Sequence, residues 1–380
     1  MFSPSECLTL DETLSLFRGG VYAKNYMPSK PGKYGILLRT VCDSKYRYFC
    51  NLEMFQRRNS DAESCNKTEE LVCRILQPYF NTNRNVTMDR YYTAVATSHR
   101  LYQNGLTCLG TIMSNRKNLP KKAASIYIGD EWVTVNNKRK RGVKRPEFSS
   151  DFYFCNYDGT PLFLQSYICK KDRVLNFLST SSRSSFIPAK LPDGRDNRKK
   201  KSEINLQYNL SKGGVDVCDY MCRSYSCKRG TRRWPVSLFF TFIDMVTINS
   251  QTICELNGLQ PNLRKSRVEF LRNLALELIA PYAAQRNSTG LSNYLLDSIN
   301  FVLKRANDCL PEPYALLVRD NLNRSQSLPD QTTKSKKQCY ICSQNNLNWS
   351  KGRTFKTCIK CSKHVCSEHS VMFTRCSNCD

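Results

Sequence analysis

The chain has 380 residues, 40% apolar and 11% aromatic, which excludes a disordered polypeptide and leaves room for one large core plus a small module. Its 58 Lys+Arg against 32 Asp+Glu leave a formal net charge of +26, and nucleic acid is the commonest partner for so much positive charge. No apolar run reaches the length of a membrane span, and Met1–Glu12 has no charged-then-apolar leader, so an intracellular protein without a membrane partner is expected.

In chain order, the first half reads as α/β. Lys33–Asp43 and Tyr46–Phe55 are predicted strands, Glu69–Tyr79 a short helix, and Arg84–Asp89 a brief strand. Arg90–Gly105 is predicted as a helix closed by Gly105, and Leu106–Ser114 as the next strand. The basic stretch from Ala123 to Ser150 reads as an insertion or mobile loop. A hairpin with Asp158-Gly159 at its turn and a strand from Arg173 to Thr180 follow, then a polar loop over Ser181–Ser202. After Gly214 the pattern turns helical, with helices predicted over Trp234–Gly258, Arg264–Ala283 and Leu291–Asp308. The domains expected are 1–258, with a basic insertion near 123–202, a helical extension over 259–311, a polar linker over 312–337 and a cysteine-rich module over 338–380. Basic runs at Lys138–Arg145, Arg195–Lys201 and Lys228–Arg233 read as phosphate-binding faces or nuclear-import signals, which makes the nucleus the expected compartment.

Twenty cysteines would fit a disulfide framework if they were evenly spread. Most of those before residue 338 are scattered, often inside apolar runs, and read as small buried hydrophobes. The rest crowd into four pairs with two-residue gaps: Cys339 and Cys342, Cys358 and Cys361, Cys366 and His369, Cys376 and Cys379. Such spacing lets both members of a pair face one metal, and eight ligands suit two tetrahedral Zn2+ ions. In so short and polar a segment the metals would supply the folding energy. Pairing one with three and two with four gives a cross-brace; sequential pairing is the alternative. His364 reads as an exposed spare. DNA binding and protein binding both remain open for this basic module.

Acids are the minority charge, and three stand out. Asp11 follows the apolar Cys7–Leu10, Asp89 ends Asn85–Met88, and Asp216 follows a Gly-Gly at a helix start, with Asp219 one turn on. Acids at strand ends and a helix start suit Mg2+ or Mn2+, which take carboxylate oxygen and leave positions for phosphate and water. An Asp that opens a helix is more often only a cap.

The stretches LTLDETLSLFRGG, YMPSKPGKYGI, VTMDRYYTAVATSHRLYQNGLTCLGTIMSNRKNLP and SKGGVDVCDYMCRSYSCKRGTRRWP, with the cysteine-rich tail, closely resemble the piggyBac family of DNA transposases. The resemblance runs in family order from Ser3 to Asp380. It implies an α/β, RNase H-like catalytic domain, a helical segment and a small C-terminal cross-brace zinc domain that reads transposon-end DNA. It places the catalytic aspartates at Asp11, Asp89 and Asp216, with Asp219 matching a fourth acid. It implies hairpin-forming cut-and-paste transposition at TTAA targets, with DNA as partner and homodimerisation left open. Trp234 matches a tryptophan beside the hairpin, read either as a base-stacking face or as a core cap on the following helix. Lys228, Arg232, Arg233 and Arg116 become phosphate-contact candidates. Three departures stand out. Met113 sits where the family often has a basic residue, and the segment between Asp89 and Asp216 is longer than in familiar members. Only ten residues precede Asp11, so the family's N-terminal region is expected to be lacking and activity impaired.

Three functions are thus in play: a metal-dependent transposase, a transposase-derived DNA- or chromatin-binding protein without catalysis, and a zinc-dependent protein-interaction module on an inert scaffold. The residues favour the first.

Overall fold

The computed structural model of the chain describes residues 2–28, 30–55, 68–116, 118–128, 132–135, 138–181, 194–196, 199–258, 267–286, 291–309, 337–344, 353–354, 356–358, 363–371 and 375–376. The chain forms two compact units, Met1–Lys265 and Ser266–Asp380.

The first unit is built on one mixed sheet. Strand β1 (Cys7–Leu16) lies at its heart, antiparallel to β3 (Tyr34–Asp43) and parallel to β5 (Asn85–Met88). The free edge of β3 is shared by the short β2 (Lys24–Tyr26) and by β4 (Tyr48–Met54). Beyond β5 comes β6 (Thr107–Ile112), again parallel. The core order β4-β3-β1-β5-β6, three antiparallel strands followed by two parallel ones, is that of an RNase H-like domain. The sheet then continues antiparallel through β11 (Arg173–Ser179), β10 (Thr160–Lys170) and β9 (Ser150–Tyr157). Asp158 and Gly159 both have positive φ, as the two-residue turn between β9 and β10 requires.

The basic segment near 123–202 follows β6 and carries strands of its own. Its middle supplies three strands of the main sheet. Its first part is a separate hairpin of β7 (Trp132–Val135) and β8 (Lys138–Arg141) rather than a loop. The polar stretch 182–193 and most of the expected linker over 312–337 lie outside the described residues.

Helices cover both faces of the sheet. On one side α1 (Thr68–Leu76) and α2 (Val95–Gln103) pack Leu71, Val72, Ile75, Leu76 and Leu101 onto Leu8, Leu10, Val86, Met88 and Cys108. Helix α2 starts later than the sequence pattern predicts. Tyr92 and Thr93 fold back onto the Asp89 carbonyl before it begins. It ends at Gly105, whose positive φ and close approach to Asn81 exclude a side chain.

On the other side lie α3 (Glu203–Ser211), α4 (Gly214–Ser224) and α5 (Trp234–Leu256). Val215, Cys218, Leu238, Met245 and Ile248 there meet Ile36, Leu38, Cys42 and Phe49. Helix α5 is, by length and composition, apolar enough to cross a membrane, which corrects the expectation of no such segment. In this fold it is a layer of the domain, packed on the sheet, with the buried Asp244 accepting from Ser226 and Cys227 of the preceding loop.

The second unit pairs α6 (Arg267–Gln285) with α7 (Asn293–Cys309) around Ala280, Ala283, Leu303 and Ala306. It also holds the cysteine-rich module, whose described elements are short. They are the strands Lys337–Gln338 and Arg353–Thr354, a helical turn at Tyr340–Gln344 and the strands Ser370–Val371 and Arg375–Cys376. Its core is Cys339, Ile341, Cys342, Cys358, Val365 and Cys366.

Candidate active site and cysteine cluster

Strand alternation sets the chemistry of β1. Successive side chains point to opposite faces. Leu8 and Leu10 enter the core under α1 and α2. Thr9, Thr13 and Ser15 turn to the other face, where Thr9 Oγ1 donates to the Ser211 carbonyl (2.6 Å) and Ser15 Oγ meets Thr241 Oγ1 (2.7 Å). Asp11 shares this second face. It lies in the middle of β1, not at a strand end as its sequence context predicts.

Register then brings Asp89 beside it. In the parallel pair Thr9 faces Thr87 and Leu10 faces Met88, so the next residues along the two strands are Asp11 and Asp89. Asp89 Oδ1 accepts from its neighbour's N–H, Arg90 N, at 2.6 Å, and from Thr111 Oγ1 of β6 at 3.4 Å. Tyr208 of α3 reaches the same place. Its hydroxyl is 3.4 Å from Thr111 Oγ1, and burial together with the charges of Asp89 and Asp11 pushes its pKa up.

Helix α4 can come close because it opens on glycine. A Cβ at Gly214 would stand 2.7 Å from Thr9 Oγ1 and 3.3 Å from Ser44 Cα. The first turn then carries Asp216, where the helix dipole favours a negative charge. One turn on, Asp219 is only 5% exposed and accepts from Thr13 Oγ1 at 2.7 Å.

The acids are held in unlike states. Burial pushes Asp11 up to about 7; the Glu12 N–H and Lys30 pull against this, while Glu12 and Asp216 add to it. Burial likewise lifts Asp219 to about 6 against the Thr13 hydroxyl, Lys30 and Arg223. Lys30, from the β2–β3 turn, places its ammonium 3.5 Å from Asp216 Oδ1. The stretch YMPSKPGKYGI carries the family resemblance, yet nothing in its composition singles out Lys30 as a neighbour of acids far along the chain.

The predicted DNA contacts divide. Arg232 and Arg233 are exposed. Trp234 opens α5 half-buried, its ring edge-on to Tyr22 with centroids 6.3 Å apart, so it caps the core and keeps an open face. Arg116 is half-buried and donates to the Tyr91 carbonyl (3.3 Å). Lys228 departs from expectation. Its ammonium turns inward to Ser15 Oγ (3.2 Å) and the Leu16 carbonyl (3.3 Å), which ties the basic loop to the end of β1. Asp244 clamps the same loop, accepting from Ser226 Oγ at 2.6 Å and Cys227 N at 2.9 Å.

In the second unit Cys339, Cys342, Cys366 and His369 converge, their ligand atoms all within 4.8 Å of one another. Among the described residues this is the one group of three or more Cys, His, Asp or Glu so tightly drawn together. Cys342 Sγ and Cys366 Sγ lie 3.8 Å apart, and His369 Nδ1 is 3.3 Å from each. A tetrahedron with metal–sulfur bonds of about 2.3 Å has edges of roughly 3.8 Å, so the spacing fits zinc. Burial raises the Cys339 thiol, but the backbone N–H groups of Cys342, Cys366 and Ile341 and the His369 ring outweigh it and bring it to about 6. The first pair is thus joined to the third, the cross-brace pattern and not the sequential one. Of the other set Cys358 is buried, and Cys361, Cys379 and the Cys376 side chain lie outside the described residues. His364 stands apart from the cluster, half-buried with Nδ1 unbonded, and is not the exposed spare expected.

Comparison with known proteins places this fold. A family model described as "Transposase IS4" matches residues 1–251. The chain belongs to the piggyBac-type transposases of that family. It is similar in structure to a piggyBac transposase solved by cryo-EM in a synaptic complex with hairpin DNA. The identity is 27% and the TM-score 0.66, over 100% of this chain and 70% of that one. The matched region takes in all four acids and both flanking helical layers.

Proposed function

We propose that the chain cleaves and joins DNA strands at TTAA targets, with Asp11, Asp89 and Asp216 as ligands of Mg2+ or Mn2+ and Asp219 as the supporting acid. The observation that carries this reading is the β1–β5 register, which sets Asp11 beside Asp89 on the face that α4 covers with Asp216 and Asp219. The donor set is all oxygen, and partial burial lifts Asp11 to about 7, as suits a carboxylate that a hard cation would ionise. Such ions, when bound, lower the pKa of the attacking water or hydroxyl and take up charge on the leaving oxygen.

The chain's own residues position and hold. Thr13 orients Asp219, and Thr111 orients Asp89. Arg232 and Arg233 supply phosphate contacts from a loop that Lys228 and Asp244 fasten, and Trp234 with Tyr22 offers an aromatic face to an unpaired base. Arg116 is a further phosphate contact at the edge of the site. The relative's complex with hairpin DNA supports a hairpin intermediate here. Cys339, Cys342, Cys366 and His369 hold one Zn2+, and Cys358, Cys361, Cys376 and Cys379 a second, in a module that reads transposon-end DNA. The basic runs direct the protein to the nucleus.

The test is strand cleavage of labelled transposon-end DNA in Mg2+. Asp216→Ala is expected to lower the rate by roughly a thousandfold or more while DNA affinity stays within about twofold. A wild-type chain that binds the ends and never nicks them would instead support the DNA-binding protein without catalysis.

A further inference from the structure

The turn between β2 and β3 sends a lysine into the acid site. Met27 N donates to the Lys33 carbonyl (2.7 Å), Lys30 N to the Met27 carbonyl (3.2 Å) and Lys33 N to the Lys30 carbonyl (3.1 Å), which folds the turn tightly. Gly32 brings it against Leu16, where a Cβ would collide with the leucine side chain. From this surface turn a lysine would ordinarily extend its charge into water. Lys30 does the reverse: its side chain is only 18% exposed, while the Asp216 side chain it meets at 3.5 Å is 64% exposed.

The lysine comes from an element separate from the helix that carries Asp216, so the pair ties the β2–β3 turn to the first turn of α4.

We propose that Lys30 is a resident counter-cation of the acid site, pairing with the carboxylate of Asp216 until a divalent ion binds and competing with that ion for it. The inference rests on the reading of these acids as metal ligands. It makes Lys30 a positioning residue that sets metal affinity. Like charges repel at short range even in a water-like medium, so the ammonium weakens divalent binding.

The experiment titrates the full chain, free of DNA, with Mn2+ and reads unbound Mn2+ by electron paramagnetic resonance. Lys30→Gln, which removes the charge and keeps most of the side-chain length, is expected to tighten Mn2+ binding about tenfold. Lys30→Arg, which keeps the charge, is expected to bind within about twofold of wild type. Without metal Lys30→Gln melts below wild type, and saturating Mn2+ closes the gap; a purely structural lysine would leave the gap open. If Lys30→Gln is unfolded without metal, Mn2+ restores its fold, and a variant that stays unfolded overturns the proposal. Binding by Lys30→Gln no tighter than wild type also overturns it. Asp11→Asn separates the two levels. If wild type binds no more Mn2+ than Asp11→Asn, the carboxylate reading itself fails. If wild type exceeds Asp11→Asn yet equals Lys30→Gln, only the role of Lys30 fails.

Discussion

The acid site and the cysteine cluster gather their side chains in opposite ways. Asp11, Asp89 and Asp216 come from three distant stretches and share one side of the sheet because β1 and β5 run parallel in register and α4 opens on Gly214 against Thr9. The sheet would place them whether or not an ion bound. Among the described residues, Cys339, Cys342, Cys366 and His369 come from one short stretch with two-residue strands and two short helical turns around them. Cysteines supply most of its described core, beside Ile341 and Val365. The first site is made by the fold, and the second, with zinc bound as proposed, would make its fold.

The comparison breaks most visibly on metal removal. With zinc held as proposed, stripping it with a strong chelator, or Cys342→Ser, is expected to unfold the cysteine module outright, because metal-binding energy would then be its folding energy. The sheet unit should keep its melting transition. Domain-resolved hydrogen exchange checks both halves, and loss of protection throughout the chain would show that the units are not independent.

Removing a carboxylate from the acid site should do the opposite. Asp11 titrates near 7 in the folded chain, well above its unfolded value, so the native state binds more protons between about pH 4 and 7. Its contribution to stability is complete below about pH 4 and is lost as pH rises through about 7. Asp219, lifted to about 6, adds a loss of the same sign. Urea melts without added divalent ion are expected to show stability falling across this range, by on the order of 2–4 kcal/mol. Asp11→Asn should flatten most of that slope and leave the sheet unit more stable than wild type at pH 8. A wild-type profile flat from pH 4 to 8 would contradict the raised pKa of the half-buried Asp11.

A smaller effect tests the close approach of α4. Gly214→Ala adds a methyl 2.7 Å from Thr9 Oγ1 and is expected to cost about 1–3 kcal/mol by denaturant melting. It should lower cleavage more than DNA binding, since the helix it displaces carries two acids.

What the sequence discloses follows the same division. The cysteine pairs are readable from spacing, because local ligands need only local geometry; their pairing was not, because it depends on how Tyr340 N and Val365 N bond across the module. The strands and the hairpin at Asp158-Gly159 are readable from alternation and turn chemistry. The acids are not readable on pattern alone. Asp43 also ends an apolar strand, yet it is a structural acid whose oxygens accept from Ser5, Lys45 and Tyr46 at the β3–β4 turn. Only the family resemblance distinguishes Asp11 and Asp89 from it. Nor could local pattern foresee that Lys30 points inward, or that Lys228 does, since each is fixed by a partner on another element.

Both regions are expected to meet DNA, and the smallest predicted effect asks which cations do so. Each phosphate neutralised by a basic side chain contributes about one unit to the slope of log affinity against log salt. Arg233→Gln should therefore weaken binding to transposon-end DNA a few-fold and reduce that slope by about one. Lys228 lies in the same basic run, and composition alone makes it equivalent. Its ammonium is already spent on Ser15 and the Leu16 carbonyl, and burial holds its pKa down despite Asp244 nearby. Lys228→Gln is expected to leave the salt slope unchanged and to act only by loosening the loop, so cleavage falls while the electrostatic part of binding does not. A slope that drops by one on losing Lys228 would mean that the lysine swings out to phosphate in the complex, and that the loop is fastened by Asp244 alone.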